Sequence, residues 1–402
     1  MSEATIDLSD PQLFVDDSFE HALATLRRDE PVYRNPGPDG GFWVVTRYAD
    51  AVDVLADTAA FSSEYGNMLR IRRERDPAAG VMVTVADPPQ HTEIRALLNH
   101  AVNAHPLPEL SARVDEVVAD LLARAAAAGE VDFARDVADH LPIEVTCDFL
   151  GVPAPERPLL ARLSLATFAA EDPEFAADAT ADAARTTANS EIIDYFTVLA
   201  RARRKNRGDD FVSLLINTEV GGRRLDDYEI ALNCFSLLLG GNETARSAAA
   251  GGLDALFDNP AEFDRLRQDP ALLTRAVDEI VRWTSPVRQV LRMCRSPRTV
   301  GGMTIAPGEI VTVWLISANR DEAAFAAPYR FDVGRSPNRH LGFGSAVHRC
   351  VGRGVARVEL TSLFRQLIES PYRVTRCGPA VPVRSPFLSG VKRLPVAFQL
   401  AA

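Results

Sequence analysis

Residues 226–258 carry one uninterrupted helical pattern, closed by Asn259 and Pro260. Halfway along, the apolar run of "LLLGGNETAR" (237–246) meets two glycines, Gly240 and Gly241, and then Asn242, Glu243 and Thr244. Glycine in a helix interior costs about 1 kcal/mol relative to alanine. A buried carboxylate is costly too unless it is paired or neutralised. Any fold for this chain has to accommodate a long helix with both features near its middle. Taken alone, the stretch also reads as a glycine-weakened helix with a solvated Glu243.

Around that helix the pattern is mostly helical. "GGFWVVTRYADAVDVLADTAAFSS" (40–63) opens as a strand and passes into an amphipathic helix, and 64–90 reads as a long loop with turn residues and no sustained period. Helices are expected over "HTEIRALLNHAV", over 109–128, and over 141–151, the last stopped by Gly151 and Pro153. Residues 155–217 keep helical spacing with a break near 169–178, and helices continue through 262–284. The texture then changes. "RTVGGMTIAPGEIVTVWLIS" (298–317) has a Gly-Gly turn and β-branched alternation, and the C-terminal segment is also strand-like. There is no repeat or coiled-coil heptad.

Composition narrows the function classes. A chain of 402 residues, 47% hydrophobic and 25% charged, can bury a large core and a sizeable ligand. A net charge of −11 argues against a general nucleic-acid binder. The acidic N-terminus lacks a secretory pattern, and no apolar run reaches the roughly 18 residues that span a bilayer, so a cytoplasmic protein is expected. Cys147, Cys234, Cys294, Cys350 and Cys377 are odd in number and scattered, which argues against a disulfide framework or a zinc ribbon.

One cysteine stands in an unusual place. "HLGFGSAVHRCVGR" (340–353) sets Cys350 among Gly342, Gly344 and Gly352, beside Arg349 and Arg353, just before a helical pattern. Neighbouring cations and free amides at a helix N-terminus lower a thiol's pKa. A glycine turn with a merely buried cysteine is the plainer alternative. Zinc at His348 and Cys350 lacks a second ligand pair, and a Cys–His hydrolase lacks a group to orient the histidine.

At these residues the chain resembles the cytochrome P450 superfamily of haem-thiolate monooxygenases. That family carries Phe-Gly-x-Gly-x-[His/Arg]-x-Cys-x-Gly around a haem-ligating cysteine. Phe343, Gly344, His348, Cys350 and Gly352 match, with Ala356 and Arg357 where Ala-Arg often follows. Ala346 stands where a second glycine is usual, and a modest backbone adjustment is expected there. The resemblance implies haem b as cofactor and Cys350 as the axial thiolate, a ligand that pushes electron density onto iron and favours O–O cleavage. It also implies a mainly α fold with small β-sheets, a triangular prism with a long central helix over haem. The chain would be a single domain, 1–402, β-rich near 30–50, 295–317 and 372–402.

Three more motifs carry the resemblance. Gly240, Gly241, Glu243 and Thr244 match a family segment that crosses the haem; the glycines would open room beside the cofactor, with Glu243 and Thr244 delivering protons to dioxygen. Glu279 and Arg282, three apart on one helical face, match Glu-x-x-Arg, and Arg330, in the Pro328–Phe331 segment, would complete a structural triad. His91, Arg95, Arg292 and His348 match residues that bind haem propionates, since two buried carboxylates need cationic donors.

The activity implied is insertion of one oxygen atom from O2 into a C–H bond, by hydroxylation or epoxidation. The alternatives on the same fold are aryl coupling, desaturation or peroxide-driven oxidation; a haem-based sensor is the non-enzymatic one. No P-loop or dinucleotide fingerprint is present, so electrons are expected from a ferredoxin fed by an NAD(P)H-dependent reductase. Arg349, Arg353 and Arg357 are candidates for its docking patch. By resemblance the substrate pocket is lined by the 64–83 loop, the break near 166–180, residues 235–240 and 287–291, and the turn 385–390. Met68, Phe168, Asn233, Phe235, Leu239, Arg288, Gln289, Val290 and Phe387 are the candidates, a mixture that suggests an amphiphilic small molecule of secondary metabolism.

Overall fold

The computed structural model describes residues 6–15, 18–37, 40–69, 74–104, 107–176, 180–220 and 222–400. Parts of two expected pocket segments, 70–73 and 177–179, lie outside the described residues. The helices that matter for the site are α1 (Ser18–Asp29), α2 (Gln90–Ala104), α3 (Leu107–Ala128), α4 (His140–Leu150), α5 (Arg157–Phe168), α6 (Ala181–Lys205), α7 (Asp227–Asp258), α8 (Leu273–Thr284) and α9 (Arg353–Glu369).

Helix α7 is the 32-residue element that the sequence pattern predicts. It begins with a reciprocal cap. The Asp226 carboxylate accepts the Glu229 amide at 2.8 Å, and the Glu229 carboxylate accepts the Asp226 amide at 3.0 Å. Its first half, from Ile230 to Leu239, is buried with Leu160 of α5 and with Ile192 and Phe196 of α6. Its second half, from Ala248 to Leu256, is buried with Val118 of α3, Leu141 of α4, Ile280 of α8 and Phe364 of α9. Residues 240–247 lie at the seam between two separate apolar cores. The polar stretch of α7 therefore falls where neither core demands a hydrophobic side chain.

The main sheet contains β1 (Val32–Asn35), β2 (Phe42–Val45), β3 (Phe61–Ser62), β4 (Gln289–Cys294) and β5 (Ile310–Trp314), in the order β1-β2-β5-β4-β3. Strand β5 runs parallel to β2, with Val311 opposite Trp43, and antiparallel to β4, with Val313 opposite Val290. The expected hairpin forms between Arg298–Val300 and Met303–Ile305. Near the C-terminus, Tyr372–Arg376 pairs with Pro395–Leu400, which also pairs with Glu130–Asp132. The two- and three-residue strands at 61–62 and 130–132 are too short to show an alternating pattern, which is why sequence reading passes over them. Among the described residues, 64–69 and 74–89 form a loop apart from the 3-10 turn Val83–Val85.

Candidate active site

Cys350 sits in the turn before α9, where the backbone curls back on itself. The Gly344 amide donates to the Leu341 carbonyl and the Cys350 amide to the Phe343 carbonyl, both at 2.8 Å. Gly344 has φ +67°, a left-handed conformation that glycine adopts without strain. Ala346 has φ +51°. The adjustment expected at that position is thus a left-handed alanine, held where a glycine would be free of strain. A side chain on Gly352 would begin 4.0 Å from the Cys350 sulfur, so glycine keeps the approach to the thiol open. Burial raises the thiol's pKa above its ordinary value. The amides of Gly352 and Arg353 and the charges of Arg95 and Arg353 pull it down and offset only part of that. The protein surroundings alone therefore keep the thiol protonated, contrary to the effect expected from the motif.

Helix α7 presents its glycines differently. A methyl group at Gly240 would meet no atom within 4 Å, whereas one at Gly241 would lie 2.7 Å from Thr146 Oγ1 on α4. Gly241 is a close-packing residue against α4 and not, as expected, a second opening beside the cofactor. The Thr244 hydroxyl donates to the Gly240 carbonyl, one turn back, at 2.7 Å. Glu243 is buried; its Oε1 accepts from Asn242 Nδ2 at 2.9 Å and its Oε2 has no partner. Burial pushes its carboxyl up to about 8, although Arg246 pulls it down. Arg246 in turn is ion-paired with Asp139, just before α4. Neither Arg246 nor Asp139 is part of the matched motif; they come together only when α7 packs on α4.

His91 and Arg95 from α2, Arg292 from β4 and His348 from the cysteine turn form a cluster of basic groups. The His91 and His348 rings lie 4.2 Å apart between centroids, and both His91 ring nitrogens are buried without a partner. His348 Nε2 is 3.1 Å from Ser63 Oγ, a contact that no sequence signal announces across 285 residues. Arg292 is buried and, among the described residues, donates to the neighbouring Leu291 carbonyl alone, at 2.7 Å. Arg95 Nε reaches Asn99 Oδ1 at 3.3 Å. Among the described residues no carboxylate pairs with any of the four. Burial, then the neighbouring charges, pushes His91 down to about 4 and His348 down to about 2. Arg292 is pushed down to about 10 by burial. Such a concentration of donors without an acid favours an anionic occupant.

The structural triad is corrected in one member. Glu279 and Arg282 are both fully buried and meet through two bonds, of 2.7 and 2.8 Å. The third member is Arg335, whose Nε reaches Glu279 at 3.0 and 3.1 Å. The Arg330 side chain is 67% exposed and faces Glu262 at 3.8 Å. Only its backbone takes part, its carbonyl accepting from Arg335 Nη2 at 2.7 Å.

The expected pocket residues divide. Met68, Phe168, Phe235, Leu239 and Phe387 belong to one apolar cluster, with Phe168 and Phe387 stacked at 5.2 Å. Asn233 donates to the carbonyls of Val81 and Glu229, each at 3.0 Å, so its amide nitrogen ties the loop to α7. Gln289 is fully buried with both amide atoms unpartnered. Val290 packs into the sheet with Val311, Val313 and Leu341. Arg288 does not join the apolar cluster. It turns away and lies over the rings of Phe14 and Phe19. Arg288 lies just before β4, where its amide donates to the Phe387 carbonyl at 2.8 Å.

A family model described as Cytochrome P450 matches residues 181–377. "Cytochrome P450 NovI" of Streptomyces niveus is 34% identical over 400 residues, covering 97% of this chain and 96% of that protein. "Linalool 8-monooxygenase" of Pseudomonas putida is also 34% identical, over 97% of this chain and 98% of its own. Among solved structures, Mycobacterium marinum cytochrome P450 CYP268A2 in complex with pseudoionone superposes with a TM-score of 0.91 at 32% identity, covering 99% of each chain. Among the described residues no helix is long and apolar enough to cross a membrane. The chain belongs to the cytochrome P450 family, and it is a monooxygenase that uses haem b.

Proposed function

We propose that the chain acts as a single domain in which Cys350 would supply a thiolate ligand to haem b. His91, Arg95, Arg292 and His348 would receive its two propionates, and Phe343, Gly344 and Gly352 would shape the turn beneath it. The observation that carries this reading is the cluster of basic groups, with His91 and Arg292 buried, for which the described residues hold no counter-acid; its two guanidiniums call for about two negative charges. Haem, when bound, supplies the oxygen-binding and redox chemistry.

The protein's own residues supply protons and position. Gly240, where a methyl group would meet no atom within 4 Å, would leave space beside the cofactor. Glu243 has its pKa pushed up to about 8 and so carries a proton at neutral pH. Thr244, next in sequence, has a hydroxyl free to rotate between the Gly240 carbonyl and an oxygen acceptor. The Arg246–Asp139 pair fixes the charge beside Glu243. Asp139 is 31% exposed at its side chain, which gives the buried acid a solvent-side neighbour. Glu243→Gln should slow turnover by about 10- to 100-fold and alter its solvent isotope effect, with the spectrum of the substrate-bound form unchanged. Equal rates in variant and parent would remove Glu243 from the proton route.

The substrate is an amphiphilic small molecule held by Met68, Phe168, Phe235, Leu239 and Phe387, and the reaction is oxygen insertion into one of its C–H bonds, in secondary metabolism. Linalool and pseudoionone, named with two of the relatives, have that balance of a hydrocarbon body and one oxygen. Electrons come from a ferredoxin docking near Arg349 and Arg353. Arg357 is committed elsewhere, to Asp278 at 2.8 Å and over the Phe343 ring. Carbon monoxide added to the reduced protein tests the ligand assignment. The red-shifted Soret band of thiolate ligation should be present in the parent and absent in Cys350→Ser; its persistence in the variant would overturn the assignment.

A further inference from the structure

Arg288, displaced from the substrate pocket, faces a second cavity of about 210 Å³ beside the second half of α7. The cavity lies between Phe14 and α1 on one side and Ser247, Gly251, Trp283 and Arg320 on the other. Its polar groups are left incomplete. Arg288 is 3% exposed; its Nε reaches the Leu388 carbonyl at 3.3 Å, but its Nη1 has no acceptor. Arg320 is 4% exposed and donates to the carbonyls of Trp283 at 2.9 Å and Arg282 at 3.3 Å, but its Nε is unpartnered. The Ser247 hydroxyl is fully buried and also unpartnered. Among the described residues the one acid at the cavity is Glu20, 3.9 Å from Arg320 and 37% exposed.

Among the described residues, two buried cations thus share one partly exposed carboxylate. The faces of Phe14 and Phe19, 5.0 and 4.6 Å from the Arg288 guanidinium carbon, give cation–π attraction but accept no N–H bond. Burial of a cation without a full counter-charge is strongly unfavourable, and it pushes Arg288 down to about 9 and Arg320 down to about 10. A small oxyanion would correct both deficits, because its oxygens accept from planar guanidinium donors and from a hydroxyl. The volume exceeds the roughly 30 Å³ that one water occupies, so it holds an anion of phosphate or carboxylate size.

The geometry points to a small-oxyanion site formed by Arg288, Arg320 and Ser247, separate from the haem pocket. Ser247 lies one helical turn beyond Thr244, on the same side of α7, so the occupant braces the helix next to Thr244. The site is independent of the assignment of Cys350.

Isothermal titration of the haem-loaded protein with inorganic phosphate and, separately, with acetate tests this, each against sodium chloride at matched ionic strength. Saturable binding of either oxyanion is expected, and the tighter of the two identifies the tetrahedral or the planar class. Arg288→Gln should weaken it by about tenfold or more. Glu20→Gln should tighten it by about fivefold, because a competing carboxylate is removed. Should Arg288→Gln not fold, Ser247→Ala carries the test, with an expected loss of about threefold. Binding no stronger than that of chloride, affinity unchanged in Arg288→Gln or in Ser247→Ala, or weakening in Glu20→Gln would overturn the proposal.

Discussion

Two residues show how small departures from a motif translate into energy. An alanine in the left-handed region is disfavoured by about 1–2 kcal/mol, and Ala346 adopts it on an exposed turn, at φ +51°. Replacing it with glycine removes that strain but adds backbone freedom to the unfolded chain, worth about 0.4–1 kcal/mol. Ala346→Gly should therefore stabilise the protein by up to about 1 kcal/mol, read from denaturant melts, and a decrease would mean that the turn favours the alanine. The second case is the triad. Arg335→Ala leaves part of the fully buried Glu279 carboxylate uncompensated and should cost about 3 kcal/mol. Arg330→Ala, at a mostly exposed side chain, should stay within about 0.5 kcal/mol. The same melts separate the two, and a reversed order would restore Arg330 to the triad.

Among the elements, α7 shows most plainly what a sequence pattern can and cannot reveal. Its two adjacent glycines look equivalent in sequence, yet one faces open space and the other touches α4. Gly241→Ala places a methyl 2.7 Å from Thr146 Oγ1, closer than two such atoms can approach. It should destabilise the protein by about 1–3 kcal/mol through overpacking, and Thr146→Ala in the same chain should restore most of the loss. Gly240→Ala should fold normally, since nothing opposes it, and should gain the helical preference of alanine, about 1 kcal/mol. Equal thermal stability of the two single variants would contradict this division. The helix itself, the cysteine turn and the C-terminal strands were legible because each is a local backbone demand written into consecutive residues. Arg335, Ser63, and the pairing of Arg246 with Asp139 were not, because they depend on which elements pack together. Arg288 was misplaced for a related reason. It lies just before β4, and its direction depends on the packing of the N-terminal residues, which set Phe14 and Phe19 against it.

For the whole molecule, charge is distributed unevenly between surface and interior. The chain is acidic overall, at −11, yet its buried site gathers basic groups. Burial and neighbouring cations hold His91 and His348 neutral, pushed down to about 4 and about 2 from an unfolded value of 6.5. Unfolded imidazoles take up protons below pH 6.5 and the folded ones do not until lower pH, so stability is full above 6.5 and falls as the pH drops towards 4. The haem-free protein should lose up to about 2 kcal/mol from each ring between pH 7 and pH 5. The haem-loaded protein should lose less, because propionates favour the protonated rings. Denaturant melts of both forms at the two pH values measure the difference, and equal losses would separate these histidines from the propionates. The passage of α7 through two independent cores has a historical consequence as well. Mutations that retool the chamber formed with α5 and α6 can accumulate without loosening the half of the helix anchored by α8 and α9. A lineage built on this plan can drift towards new molecules while inheriting its chemistry intact.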